Sequence, residues 1–347
     1  MKKHILTCAV CAFAFVSFST IRIVDNKGSN PKNYTSLQTA IDESAIGDTI
    51  YVAGSMYTYG EVTIGKKIVL AGEGLSSVNQ RSLVEKLTFN NQLASGSKIF
   101  GLTINQLNVE TETLSDLELA YNKINNYSER YDYKANQKIA VLFGATIYNN
   151  YWDKLSINIS GSVFSNNFIN TSSDFNNSIE GAKTNISVSI VANNHFGWIN
   201  MGENETSSYL NFQNNVISST AVIFLNKTGT VLQNNLFAEG NSFKNDIFVS
   251  YNDKAPIGNY LEFIDDIFVK QGQNNYHLKA TSKGVKAGLD GTDVGIYGGL
   301  YPWQDFEGST NVEKFRSRFA MITGMTMKSN APSNSTINVE LKAKSIK

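Results

Sequence analysis

Groups able to do acid–base or nucleophilic chemistry are few in this chain, and their spacing suits it poorly. The histidines are His4, His195 and His277, and the two cysteines are Cys8 and Cys11. His195 follows an Asn-Asn pair at a position expected to face outward. It and His277 read as exposed or internally satisfied surface residues rather than general bases. Asp132, Asp153 and Asp174 are spaced 21 and 21 residues apart, which invites an acidic ladder for Ca²⁺. Counted from the preceding repeat asparagine they fall 10, 3 and 7 positions on, so they belong to different sites. Asp265-Asp266 is the one Asp-Asp pair and lacks the companions of two-carboxylate hydrolysis. No Gly-x-Ser-x-Gly is present, and neither a metal nor a cofactor is implied.

Binding chemistry is better represented. Arg130, Tyr131, Tyr133 and Lys134 cluster in one Tyr-rich stretch, and Tyr151, Asp153 and Lys154 follow shortly after. Aromatic faces beside paired charges are what a sugar ligand needs.

The elements that must position these residues come from a repeat. An apolar residue, any residue, Asn-Asn, any residue and an apolar residue recur as Ile147-Tyr-Asn-Asn-Tyr-Trp152, Phe164-Ser-Asn-Asn-Phe-Ile169, Val191-Ala-Asn-Asn-His-Phe196, Phe212-Gln-Asn-Asn-Val-Ile217 and Leu232-Gln-Asn-Asn-Leu-Phe237. The second asparagines, Asn150, Asn167, Asn194, Asn215 and Asn235, are separated by 17, 27, 21 and 20 residues. Looser copies extend the series back to Asn122 and Asn105. A period near 20 residues means a solenoid, whose units bury their apolar faces only by stacking. Asparagine tolerates the left-handed conformation of a sharp corner, and stacked coils place equivalent amides about 4.8 Å apart. The reading is an asparagine ladder in a parallel β-helix. A leucine-rich repeat fits less well, because the place of Leu210 is taken by Ala145, Ser162, Ser189 and Thr230.

The steps of 28 residues from Asn122 to Asn150 and 27 from Asn167 to Asn194 exceed the period. The excess is expected to leave the coils as loops near 126–136 and 171–183. These would wall a cleft floored by the short coil around 151–156, with the Tyr-rich stretch on one wall.

Lys+Arg and Asp+Glu are both 30 in 347 residues, so no charge excess points to nucleic acid. Met1-Lys-Lys-His, an apolar run over 5–18 and Ser17-Phe-Ser19 read as a signal peptide, residues 1–19, cut before Thr20. Both cysteines lie inside it, which leaves the mature chain without thiols or a membrane span. Ser36 reads as the N-cap of a short helix with Leu37, Ala40, Ile41 and Ala45 on one face, closing the open end of the solenoid. Strands are expected over 49–52, 62–64 and 68–70. A terminal hairpin is expected from 319–327 and 336–345.

Ser36-Leu-Gln-Thr-Ala-Ile-Asp-Glu-Ser-Ala-Ile-Gly-Asp-Thr-Ile-Tyr-Val52, followed by Lys67-Ile-Val-Leu-Ala-Gly-Glu-Gly74, resembles the cap and first coil of pectate-lyase-like right-handed parallel β-helix proteins. Tyr276-His-Leu and Asp290-Gly-Thr-Asp-Val-Gly-Ile-Tyr-Gly-Gly-Leu-Tyr-Pro-Trp303 resemble the final coil of a secreted bacterial subgroup of these proteins. The resemblance implies an all-β, single-stranded right-handed parallel β-helix over 20–303, with a capping helix and a hairpin-like tail over 304–347. Its functional range is wide, from lyases and hydrolases to non-catalytic adhesins. With the familiar catalytic sets missing, the expectation is an exported, monomeric protein, secreted or at the cell surface, that binds glycan or another surface without catalysis. The alternative is a polysaccharide lyase or glycoside hydrolase with an atypical site.

Overall fold

The computed structural model describes residues 20–28, 30–31, 33–74, 81–129, 131–132, 137–138, 141–176, 187–200, 210–218, 222–223, 231–239, 258–305, 321–327 and 339–344. The expected leader lies outside these residues. Short alternating segments build the arms of each coil. In Thr49–Val52, Ile50 and Val52 are buried while the residues between them are partly exposed, the period of two that a strand with one buried face requires. Ten such strands pair in parallel, side by side, from Ile21–Val24 to Val231–Gln233. A second sheet of 14 strands includes a parallel series from Glu61–Ile64 to Tyr260–Phe263. From Thr49–Val52 to Leu236–Glu239 each turn of the chain supplies the first sheet and then the second, because a parallel neighbour is reached only after a full turn. This is the expected parallel β-helix.

The helix Leu37–Glu43 caps the first coil. The Ser36 hydroxyl accepts the Thr39 N–H at 3.2 Å, and Leu37, Ala40 and Ile41 are buried. Ala45, expected on the same face, lies beyond the helix end and is exposed. At the other end of the chain, Met321–Met327 and Val339–Lys344 form the expected antiparallel pair.

The Asn-Asn pairs divide two tasks that the repeat suggests for one residue. The first asparagine of each pair takes the left-handed corner, with φ of 53° at Asn149, 53° at Asn166, 56° at Asn193, 56° at Asn214 and 51° at Asn234. Gly258 fills that place in the next coil, with φ of 72°. The second asparagine points inward. Side-chain amide bonds run from Asn122 to Asn150 at 3.0 Å, on to Asn167 at 3.0 Å, Asn194 at 3.2 Å, Asn215 at 2.9 Å and Asn235 at 3.0 Å. Asn259, which the pattern did not include, adds a rung at 2.9 Å. Each Oδ1 also accepts the backbone N–H of the preceding rung, as at Asn215 from Asn194 at 2.9 Å. Asn105 is not part of the ladder: Leu102 occupies that register and donates its N–H to Asn122 Oδ1 at 2.9 Å.

Two apolar cores result. Inside the coils lie Trp152, Phe164, Phe196, Phe212 and Phe237 with the aliphatic residues of the arms. A second core forms outside them, where Tyr151, Phe168, Val216 and Leu236 meet Phe268, Tyr276, Val294, Ile296 and Trp303. The final-coil reading of 276–303 therefore changes. Asn275–Leu278 pairs antiparallel with Phe268–Lys270, and the chain then runs back along the solenoid over the outward asparagines. Asn234 donates to the Ala287 carbonyl at 2.7 Å, Asn214 accepts the Leu289 N–H at 3.0 Å, and Asn166 donates to the Ile296 carbonyl at 3.0 Å. We call 276–303 the strap.

Candidate functional site

Among the residues singled out for binding, Arg130, Tyr133 and Lys134 lie outside the described residues. Tyr131 belongs to Tyr131–Asp132, which pairs antiparallel with Gln137–Lys138, so the chain doubles back there. It leaves the coil later than expected, because Lys123–Glu129 stays paired with Thr103–Val109 as far as Glu129. The second insertion is also late: Phe168–Asn176 pairs with Tyr151–Ser160 through Asn176. Asp174 pairs with Ser156 rather than Asp153, so no acidic ladder crosses these coils.

Tyr151 does not form an open floor. It is buried, stacks on Phe168 at 5.3 Å and carries the Lys123 ammonium 5.1 Å above its ring. Asp153 and Lys154 do reach the outer surface. The register of Tyr151–Ser160 against Phe168–Asn176 shifts between Trp152 and Lys154, where Phe168–Asn176 carries one extra residue.

They join a polar stripe. Glu85, Asn105, Asn125, Asp153 and Asn170 each follow an inward apolar residue in successive coils: Val84, Ile104, Ile124, Trp152 and Ile169. Asn105 donates to the Glu85 carboxylate at 2.8 Å, Asn125 to Asn105 Oδ1 at 2.9 Å, and Asn170 to the Asp153 carboxylate at 3.0 Å. Gln106, Asn126 and Lys154 stand exposed one residue further along. With coils about 4.8 Å apart, four steps give a band about 19 Å long of fixed amides and carboxylates. Glu85 with Lys86 and Asp153 with Lys154 keep it near neutrality. Sequence reasoning missed Glu85, Asn125 and Asn170 and misplaced Asn105. The signal was available: each polar residue comes directly after the inward apolar residue of its arm.

The histidines add no exposed base to this stripe. His195 faces away from the coil interior as expected but lies buried beneath the strap, stacked on Phe168 at 4.4 Å with Tyr276 at 4.6 Å. Neither ring nitrogen has a hydrogen-bond partner of good geometry. Burial pushes its pKa down to about 3, only weakly opposed by the Ile169 carbonyl. His277 meets Asp305 at 2.9 Å and stacks on Tyr297 at 3.7 Å, the satisfied surface role expected of it. Asp265 and Asp266 are exposed in the short helix Ile264–Ile267. Among the described residues no group of three or more His, Cys, Asp or Glu is placed to hold a metal, and no helix is long and apolar enough to cross a membrane.

No family model, curated protein or solved structure matches this chain.

Proposed function

We propose that this protein is an exported, pectate-lyase-like right-handed β-helix that binds a glycan without catalysis, along the stripe from Glu85 to Asn170. The observation that carries the reading is the fixed, outward row Glu85–Asn105–Asn125 with Asp153–Asn170, whose side chains are bonded from coil to coil. Amides and carboxylates held in this way bind hydroxyl groups with little further loss of rotamer freedom. The Tyr-rich segment with Arg130, Tyr131, Tyr133 and Lys134 follows Glu129 in the chain, and we take it as one wall of the site. The two carboxylates of the stripe, Glu85 and Asp153, each accept a hydrogen bond from a neighbouring asparagine, a role that supports binding.

The test is to incubate the chain from Thr20 onward with a panel of neutral and acidic polysaccharides, reading retention and product together. Retention without new reducing ends or unsaturated products supports the proposal. Turnover of any polymer assigns a lyase or hydrolase instead, and no retention on any of them removes the glycan.

A further inference from the structure

We propose that Asp48 is the receptor for a free α-amino group at Thr20, created when the chain is cut between Ser19 and Thr20. The inference rests on the leader reading and is independent of the glycan reading. Thr20 enters the first coil through its backbone: its carbonyl accepts the Thr49 N–H at 3.0 Å, and its nitrogen lies 2.8 Å from Asp48 Oδ1. The Asp48 side chain is 2% exposed, so its charge has little help from water.

Among the described residues the carboxylate's counter-charge is Arg22, on its Oδ2 side. Oδ2 accepts the Ala45 N–H at 2.9 Å and faces Arg22 Nε at 3.4 Å, whereas Oδ1 accepts, among the described residues, from Thr20. Arg22 is itself shared, with Nη1 on the Tyr34 hydroxyl and Nη2 on the Glu43 carbonyl at 2.8 Å. A buried carboxylate needs a counter-charge as well as hydrogen bonds. An amide nitrogen at Thr20 supplies a bond and no charge. An α-ammonium at the same point supplies both, in a charge-assisted bond. Burial by itself would raise the Asp48 pKa, yet the Thr20 and Ala45 N–H groups and Arg22 hold it below the usual value, so the carboxylate is ionised near neutrality. Ser17-Phe-Ser19 presents small residues at the positions a signal peptidase reads, directly before Thr20. Ile21–Val24 is the terminal strand of its sheet, so a cut there removes no paired neighbour from the described ladder.

The experiment compares two proteins released from a removable fusion, one beginning at Thr20 and one at Ser17. The pH dependence of α-amine acylation is read by mass spectrometry of the N-terminal peptide, alongside thermal melts. The Thr20 amine is expected to titrate above the usual α-amine range of about 8, and the Thr20 protein to melt higher than the Ser17 protein. Asp48→Asn should return the amine to the ordinary range. If that variant does not fold, the comparison of the two unmutated proteins decides. A Thr20 amine that titrates like that of Ser17, or equal melting points, overturns the pairing. N-terminal sequencing of the exported chain tests the cut separately, and a first residue other than Thr20 overturns it whatever the titration gives.

Discussion

Asn214 and Asn215 are neighbours in the chain and face opposite ways. Asn215 lies in the inner ladder, its amide bonded to Asn235 at 3.0 Å, while Asn214 accepts the Leu289 N–H of the strap outside the coil at 3.0 Å. One Asn-Asn pair thus joins a coil both to the coils beside it and to the strap that covers it. Side-chain polarity is used on both sides of a corner only two residues wide.

Substitutions at the two positions should separate. Asn215→Ala leaves the Asn194 N–H and one of the two Nδ2 hydrogens, which both go to Asn215 Oδ1, without an acceptor in the interior; the other Nδ2 hydrogen keeps the Phe164 carbonyl at 2.9 Å. The expected cost is at least about 2 kcal/mol, since each buried group left unpaired costs about 1–3 kcal/mol. Asn214→Gly keeps the corner, which has φ of 56°, and loses one bond to the strap and a long one of 3.5 Å to Asn193 Oδ1. Its cost should stay below about 1.5 kcal/mol. Denaturant titrations giving equal losses for the two variants would contradict this division.

The strap should loosen independently of the coils. Asn166 donates to the Ile296 carbonyl at 3.0 Å and to the Gly298 carbonyl at 2.6 Å. Asn166→Gly preserves the left-handed corner and removes both bonds. Hydrogen exchange should quicken in 294–303, while the Asn194 and Asn215 amides keep wild-type protection. Equal acceleration in both places would mean that strap and coils open as one unit.

Acid should act on His195. Its folded pKa of about 3 lies below the ordinary 6.5, so the open chain binds the proton first. Stability from this residue is therefore complete above about pH 6.5 and declines as pH falls from there toward 3. The cleft around the ring is formed by Val216, Phe268, Leu278, Val294, Gly295 and Ile296, with Tyr276 as its one other titratable group. His195→Phe, which keeps the stack on Phe168, should flatten the melting profile between pH 6.5 and 4. Asp48 acts lower, because its carboxyl sits below 3.8. A wild-type profile that is already flat over that interval would remove His195 as the cause.

The coil order, the capping helix, the ladder and the terminal hairpin were all legible in the sequence, because each rests on a local signal. Repeat spacing, an N-cap serine and alternation are written within a few residues of where they act. The strap was not legible. Tyr276, Val294 and Trp303 read as one more coil, and nothing near them states that they pack on Phe168 and Val216, more than 50 residues upstream. For the same reason His195 could be placed facing outward yet not recognised as covered. The stripe was half legible: Asp153 and Lys154 were chosen for their chemistry. Asn125 and Asn170 became candidates only when register aligned them with Asp153.

The most direct test of glycan binding along the stripe is the retention of an Asn105→Ala/Asn125→Ala/Lys154→Ala variant on whichever polysaccharide retains the unmutated protein, measured by affinity electrophoresis. All three side chains lie on the outer face, none is fully buried, and the inner ladder does not use them. The variant should melt as the parent does. Binding through the stripe predicts a dissociation constant about tenfold weaker or worse, a loss of at least about 1.4 kcal/mol. A variant that folds normally and is retained as strongly as the parent would contradict it.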